Sequence, residues 1–312
     1  MRSLFPDVEL PVDVAADNLI GPTNRRVEAP HPIPYQGSKR LLAPFILANV
    51  AGRRFRRLYE PFAGSAAITI AASHRRLADE YLISDSCAPL AALWQLILGE
   101  PAALADQYER IWMGWQEDSI AHYYHIRDAF NHEQRPDQLL YLLVRCVKNA
   151  PRFNQSGQFN QSPDKRRLGM RPRKMRQEIF RAHTLMRKQA NAVARDFEEA
   201  TKEATPQDLI YMDPPYEGTS SGTDKRYHQG MDRARLIHAL EEFERRGVPY
   251  ILSYDGQSGM KRYGAYLPDS LDVERVELNA GRSSQATLNG RDETTIESLY
   301  VSRSLTRSRR ES

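Results

Sequence analysis

The chain has 312 residues, of which 41% are hydrophobic and 27% are charged, and its formal net charge is +4. These values are typical of a globular protein in water and allow one large or two moderate domains. No apolar stretch approaches the roughly 20 residues of a membrane-spanning helix, and the amino terminus lacks the apolar core of a signal peptide. We therefore expect the protein to stay in the cytoplasm, where it is made.

The two cysteines give no sign of a disulfide framework or a metal site. Cys87 and Cys146 lie far apart and outside any paired spacing, so neither a disulfide nor a zinc site is predicted. We expect both to be buried as small apolar residues, and we expect no metal.

Positive charge is concentrated in one part of the chain. Between Arg145 and Arg181 there are eleven Lys and Arg residues and two Asp and Glu residues. Such a basic face favours a polyanion such as nucleic acid, through phosphate contacts and counterion release. The alternative is a solvated basic loop without a partner, but the interleaved aromatic residues Tyr141, Phe153 and Phe159 favour nucleic acid.

The first part of the chain predicts a parallel sheet with crossover helices. Residues 1–30 show no sustained period and are interpreted as an N-terminal extension. Strand and helix patterns then alternate. The predicted elements are a strand at 58–60, a helix from about residue 64, a strand at 81–84 and a helix at 89–98.

Residues 100–187 change to a mainly helical pattern, which indicates an inserted domain with a polar, turn-rich hairpin at its centre, at 150–163. Alternation then resumes up to residue 303, and a basic tail follows at 304–312. The predicted elements are strands near 192–194, at 209–212 and at 250–253, a helix at 234–245, and two closing strands around 271–276 and 296–301. The predicted fold is α/β, a Rossmann-like sheet formed by residues 31–99 and 188–303 and closed by an antiparallel hairpin.

The tetrapeptide Asp213-Pro214-Pro215-Tyr216 directly follows the apolar strand predicted at 209–212. In open α/β sheets, ligands bind at the carboxyl ends of the strands, and consecutive prolines make the backbone stiff. An acid, a rigid carbonyl and an aromatic ring placed together can hold an exocyclic amine on a planar base. The alternative is that the prolines only end the strand and that Tyr216 covers the edge of the core.

Three further segments suit ligand binding but remain ambiguous by themselves. The small residues of 60–66 form a strand-to-helix turn that a ligand can approach, although tight packing explains them equally well. Asp85 ends the second strand, where an acid can accept ribose hydroxyls or cap the next helix. Residues 35–39 form a glycine-containing turn with a lysine that suits carboxylate binding or lies at the surface.

In sequence and in order, the segments 35–39, 60–66, 85, 152–160 and 213–216 resemble the Dam-like DNA adenine-N6 methyltransferases of the alpha group, the D12 class. The resemblance runs from roughly residue 34 to residue 302. It implies a Rossmann-like methyltransferase sheet that uses S-adenosylmethionine, an inserted helical domain that recognises the target sequence, and double-stranded DNA as the partner. It also implies association with the nucleoid, and it allows for a separately acting restriction endonuclease.

The resemblance assigns roles to individual residues. Those expected to bind the methyl donor are Tyr35, Lys39, Phe62, Gly64, Asp85 and Asp213. Those expected to act on the flipped-out adenine are Asp213, Pro214 and Tyr216. Those expected to contact DNA are Arg152, Phe153, Asn154 and Asn160 in the hairpin and Lys165, Arg166, Arg167, Arg173 and Lys174 in the basic stretch.

Two positions depart from the family pattern, and three other functions remain open, one of which is RNA methylation, although relatives that act on RNA usually begin the tetrapeptide with asparagine. Ala66 stands where the family often has a second glycine, and Cys87 stands where it often has an asparagine. Methylation of cytosine N4 uses the same geometry, although a serine is commoner there in place of Asp213. A DNA-binding regulator that kept the fold without catalysis is the alternative from another class.

Overall fold

The computed structural model describes residues 29–114, 118–215, 232–258, 261–263, 265–282 and 294–306. Most of the predicted N-terminal extension and of the basic tail therefore lies outside the described residues. Within the described ranges, no helix has both the length and the apolar character needed to cross a bilayer.

The strands of the described residues form a single sheet. They are β1 (Phe55–Glu60), β2 (Ala78–Asp85), β3 (Ala190–Ala194), β4 (Leu209–Met212), β5 (Tyr250–Ser258), β6 (Lys261–Tyr263), β7 (Val273–Arg282) and β8 (Thr294–Ser302). The order across the sheet is β3-β2-β1-β4-β5-β8-β7, with β6 paired to β5. The first five strands run parallel, whereas β8 is antiparallel to β5 and β7 is antiparallel to β8. The predicted α/β sheet with a closing antiparallel hairpin is confirmed.

Helices connect the parallel strands and form the block between β2 and β3. They are α1 (Ala43–Ala48), α2 (Ala67–His74), α3 (Ala88–Gly99), α4 (Pro101–Met113), α5 (Ser119–Glu133), α6 (Pro136–Arg145), α7 (Pro172–Met186), α8 (Phe197–Thr201) and α9 (Arg233–Arg245). Short helical turns lie at Lys39–Leu41, Val147–Asn149 and Arg303–Thr306. Prolines at the first or second position begin several of these helices, where the missing N–H costs no hydrogen bond.

The sheet separates two apolar cores. Successive side chains of a strand point to opposite faces, so Leu209 and Tyr211 of β4 pack into one core and Ile210 and Met212 into the other. All four are buried, which explains why β4 is a continuous apolar run rather than an alternating one. Helix α9 covers the second core.

The inserted helical block shares the first core with the sheet. Helices α3, α4, α6 and α7 contact one another, and their apolar side chains belong to the same cluster as those of β1 and β2. Arg145 at the end of α6 is buried, and its guanidinium donates to the carbonyl of Asp164 at 2.7 Å. This contact ties the basic loop that follows the hairpin to the block.

The hairpin predicted in the middle of the block is present. Phe153 pairs with Phe159 across it, and Gly157 adopts a φ of +76° at its turn. Phe159 is buried and packs edge-on against Phe130 of α5. The hairpin is therefore anchored to the helices through an aromatic side chain.

A close approach of β8 to β5 depends on a glycine. The pairing of the two strands is irregular between Ser253 and Gly256, and a β-carbon at Gly256 would lie 2.8 Å from the carbonyl oxygen of Ile296. That distance is too short for the two atoms to coexist without backbone movement. Gly256 therefore lets β8 lie close to β5 at this point.

We expect Gly256→Ala to lower the free energy of unfolding by about 1–3 kcal/mol, because the added methyl group overpacks the strand pair. Gly99→Ala is the matched control, since a β-carbon there meets no atom within 4 Å and alanine favours the helix. Urea unfolding followed by circular dichroism measures both. Equal stability of the two variants would contradict the close packing.

Candidate active site

A cleft opens at the carboxyl ends of β1 and β4. Because parallel strands end at the same edge, the segments that follow these two strands face each other there. The cleft is open to solvent, and its empty space counted together with the open mouth is about 820 Å³. Its walls are residues 35–39, Glu60, residues 62–65, Ala67, Ala150, Pro151, Tyr211 and residues 213–215.

The turn at 35–39 forms one wall and is held from two sides. The amide of Gln36 donates to the carbonyl of Asn149 at 2.9 Å, which joins the turn to the start of the hairpin. The hydroxyl groups of Ser38 and Ser65 lie 2.7 Å apart, which joins it to the turn after β1. The turn thus connects the helical block to the sheet.

The turn after β1 has a left-handed backbone at two positions. Gly64 has a φ of +47°, and the Tyr35 ring would lie 3.5 Å from a β-carbon placed there. Ala66 has a φ of +45° at the start of α2, a conformation that costs a residue with a side chain about 1–2 kcal/mol. This backbone explains why a glycine is common in the family where Ala66 stands.

Asp85 holds this turn in place through hydrogen bonds. Its carboxylate accepts hydrogen bonds from the amides of Gly64 at 3.2 Å and Cys87 at 2.9 Å, and the Trp94 indole donates to the Gly64 carbonyl at 3.0 Å. Asp85 is 6% exposed, and burial raises its pKa although the two amides oppose the shift. The structure therefore places Asp85 beside the cleft, behind Gly64, and not among the residues that line it.

Phe62 packs against an aromatic side chain of helix α8. Its ring stacks on Phe197 of α8 with 5.3 Å between the ring centres, and the Arg235 guanidinium lies 5.3 Å from the Phe197 ring. The sequence analysis did not single out Phe197. The sequence around Phe197 gives little indication of a role at the site, because a single aromatic residue after a strand is usually part of the core.

Three charged side chains meet at the back of the cleft. The Lys39 ammonium lies 3.1 Å from the carboxylate of Asp213 and 3.0 Å from that of Glu297 on β8. Lys39 is 6% exposed, and the two acids are about one fifth exposed. Burial raises the pKa of Asp213 to about 6, with Lys39 lowering it and Glu297 raising it.

Glu60 is a fourth charged group at the cleft and is deeply buried. Its carboxylate accepts hydrogen bonds from the amides of Ile68 at 3.4 Å and Thr69 at 2.7 Å, at the start of α2. Burial raises its pKa to about 7; the amides lower it and the charge of Asp213 raises it further. In the described part of the chain, Glu60 thus adds a third carboxyl group near the pair that Asp213 and Glu297 form with Lys39.

The hairpin residues expected at the DNA are partly engaged within the protein. The Phe153 ring is buried against Phe159. The Asn154 side chain accepts from the amides of Ser156 and Gln158 at 3.0 and 2.9 Å, so it shapes the turn. Arg152 and Asn160 are half-buried.

The basic residues after the hairpin lie at the surface, and several pair with acids. Lys165 and Arg173 are exposed. The side chains of Arg166 and Arg167 contact the buried carboxylate of Asp164 at 3.5 and 2.8 Å. Lys174 lies 2.5 Å from Glu178 on α7.

Pro214 lines the cleft next to Asp213, whereas the predicted ring of Tyr216 lies outside the described residues. Tyr35, Lys39, Gly64 and Asp213 also line the cleft. Phe62 lines it as well, so five of the six residues expected at the donor border the cleft, and Asp85 lies behind its wall.

The two buried acids predict a pH dependence of stability. The pKa values of Glu60 and Asp213, about 7 and 6, lie above the values of 4.5 and 3.8 of the free groups. Between about pH 4 and 7 the folded protein therefore binds more protons than the unfolded chain, and its stability falls as the pH rises.

Between pH 5 and pH 8, we expect the free energy of unfolding of the Glu60→Gln variant to fall less than that of the wild type. The difference should be on the order of 1–3 kcal/mol. Urea unfolding at both pH values measures this difference. The exposed Glu203→Gln is the control and should follow the wild type. A Glu60→Gln variant that declines as steeply as the wild type would refute the assignment.

Comparison with known proteins identifies the family of the chain. Residues 35–283 match the model of the D12 class N6 adenine-specific DNA methyltransferases. The chain is 28% identical over 239 residues to the retron Ec67 DNA adenine methylase of Escherichia coli, covering 74% of this chain and 80% of that protein. It is 24% identical over 272 residues to the type II methyltransferase M1.LlaDCHI of Lactococcus lactis subsp. cremoris, covering 82% and 90%.

Among solved structures, the rRNA methyltransferase aviRa of Streptomyces viridochromogenes aligns over 86% of this chain and 87% of its own, with 14% identity and a TM-score of 0.37. The family model, in contrast, spans the turn at 35–39, both strand-end turns, the hairpin and the tetrapeptide. The chain belongs to the D12 class of N6 adenine-specific DNA methyltransferases.

Proposed function

We propose that this protein transfers a methyl group from S-adenosylmethionine to N6 of an adenine in double-stranded DNA. The observation that supports this most directly is the position of Asp213 and Pro214. Both line the cleft at the end of β4, next to the turn that carries Gly64. A base amine held at Asp213 and a donor held at the Gly64 turn would share one cleft.

The chemistry of the cleft suits this donor. S-adenosylmethionine supplies, when bound, an electrophilic methyl group on a positively charged sulfur. Asp213 and Glu297 flank the Lys39 ammonium, and Glu60 lines the same cleft, so the described part of this region has more acidic than basic groups, an excess that a cation offsets. Tyr35, Phe62 and Gly64 would hold the donor at the turn, with Asp85 keeping that turn in place.

Asp213 and Pro214 would prepare the amine. The lone pair of adenine N6 is delocalised into the ring, which makes the amine a weak nucleophile. The Asp213 carboxylate can accept a hydrogen bond from one N6 hydrogen and the Pro214 carbonyl from the other. These two bonds favour a more tetrahedral nitrogen with its lone pair directed at the donor, and catalysis then rests on positioning.

Asp213 is also suited to receive the proton. When N6 forms its bond to the methyl carbon, the carbon–sulfur bond breaks and its electron pair stays on sulfur. The nitrogen then carries the positive charge and must lose one hydrogen as a proton. A carboxylate whose pKa is raised to about 6 by burial binds a proton more readily than an ordinary aspartate. Tyr216 would stack on the base, which has to leave the duplex to reach the cleft.

The helical block, residues 100–187, would recognise the DNA. Its hairpin leaves the cleft wall at Ala150 and Pro151, so a duplex lying on the hairpin has its base pairs next to the mouth. Arg152, Asn154 and Asn160 would lie closest to the target base, and Phe153 would support them from the core. Lys165, Arg166, Arg167, Arg173 and Lys174 would contact phosphates and thereby place the protein on the nucleoid.

We expect Asp213→Ala to lower the rate of methyl transfer by on the order of 10²–10³-fold, because the amine loses its charged acceptor. Purified protein, unmethylated genomic DNA and labelled donor are incubated, and the digested nucleosides are separated by mass spectrometry. Asp269→Ala, an exposed turn residue, is the control. Product on cytosine N4 alone, or an unchanged rate in Asp213→Ala, would overturn the proposal.

We expect the double variant Arg166→Ala, Arg167→Ala to bind all DNA sequences more weakly and to reduce the slope of log K against log salt by about 1–2, because two phosphate contacts are lost. Fluorescence anisotropy at several salt concentrations measures this. Arg245→Ala on α9, which covers the other face of the sheet, serves as the control. Weaker binding to one sequence only would make these arginines base readers instead.

A further inference from the structure

Glu297 has no place among the motifs of the sequence, yet it lies in the cluster at the back of the cleft. It is on β8, opposite Gly256 of β5 and Leu278 of β7. Its carboxylate lies 3.0 Å from the Lys39 ammonium, which on its other side lies 3.1 Å from Asp213. One ammonium group therefore bridges two carboxylates that come from different strands.

The position of Glu297 is set by the packing of β8. Its neighbours on the same face of the strand, Leu299 and Val301, are buried in the first core, which prevents β8 from rotating. Gly256 lets the backbone of β8 at Ile296 approach β5 more closely than a side chain would allow. The carboxylate is thus held in place by the sheet and not by a flexible loop.

The negative charge of Glu297 changes how Lys39 interacts with Asp213. Lys39 bonded to Asp213 alone would neutralise it and occupy the electron pairs that the base amine needs. The ion pair with Glu297, 3.0 Å away, attracts the ammonium group towards a second carboxylate. The negative charge of Glu297 also offsets that of Lys39, so that less positive charge acts on Asp213.

We propose that Glu297 is a positioning residue that anchors the Lys39 ammonium beside Asp213 and offsets its charge, so that the Asp213 carboxylate stays available to the amine and to its proton. This inference rests on the proposed function for its catalytic meaning. The ion cluster itself stands on the distances between Lys39, Asp213 and Glu297 alone.

Four elements around Asp213 each contribute a charged or titratable group that faces it. They are Lys39 from the turn, Glu60 from β1, Tyr211 from β4 and Glu297 from β8. Glu297 raises the pKa of Asp213 and Lys39 lowers it. Removal of the negative charge of Glu297 should therefore lower the pH at which Asp213 loses its proton.

The first test is the pH dependence of single-turnover methylation in Glu297→Gln, which removes the charge and keeps the shape. We expect about a tenfold lower plateau rate and an acid limb displaced to lower pH by about 0.5–1 unit. Affinity for the donor and for DNA should change less than twofold. Glu274→Gln, an exposed residue on β7, is the matched control and should match the wild type.

The second test asks whether Glu297 acts through Lys39. In a Lys39→Met background, the added Glu297→Gln should change the rate less than twofold, because residues that act as a unit are not additive. The same tenfold loss in both backgrounds would show a role independent of Lys39 and overturn the proposal. A wild-type rate and pH profile in Glu297→Gln alone would also overturn it.

A titration without turnover separates this inference from the proposed function. The carboxyl carbon of Asp213 is followed by ¹³C NMR, assigned with Asp213→Asn, in the wild type and in Glu297→Gln. A lower midpoint in the variant supports the ion cluster even if the wild type forms no N6-methyladenine. An unchanged midpoint refutes the inference even if the wild type methylates adenine, and thermal unfolding verifies that each variant is folded.

Discussion

The parallel pairing of β1 with β4 is the constraint on which the site depends. Leu58 lies beside Leu209 and Tyr59 beside Ile210, so the two strands end at the same edge of the sheet. Glu60 and Asp213, which are about 150 positions apart in the chain, therefore share one cleft. Both faces of β4 are packed into apolar cores, and a shift by one residue would exchange the core side chains between the faces.

This arrangement places acids where burial disfavours their charge. Each buried charge costs solvation free energy that its partners must offset. Glu60 has two backbone amides, and Asp213 has the Lys39 ammonium, which Glu297 also holds. The remaining negative charge would suit the cationic donor that we propose, so that groups which destabilise the free protein would favour its binding.

The helical block is bound to the sheet by packing and by one short connection at the cleft. Its apolar side chains belong to the first core, and the amide of Gln36 bonds to Asn149 just before the hairpin. One backbone hydrogen bond therefore joins the start of the hairpin to the turn that carries Lys39. Phe153 and Asn154 also stabilise the hairpin itself, through the contact of Phe153 with Phe159 and the hydrogen bonds that Asn154 accepts.

Local pattern was enough to predict seven of the eight described strands, the helices that follow β1, β2 and β4, and the closing hairpin, but not β6 or α8; the order of five motifs indicated the family. The strand at 209–212, for example, is a short apolar run bounded by turn residues. The tetrapeptide 213–216 that follows it contains two consecutive prolines, which make the backbone stiff. Spacing and order of five segments also indicated Lys39, Gly64 and Asp213. Only the tertiary structure showed that Asp85 lies behind the cleft and that Phe197 stacks on Phe62. It alone placed Glu297 beside Lys39, because that contact depends on the pairing of β8 with β5, and strand pairing between distant segments leaves no signal in the local sequence.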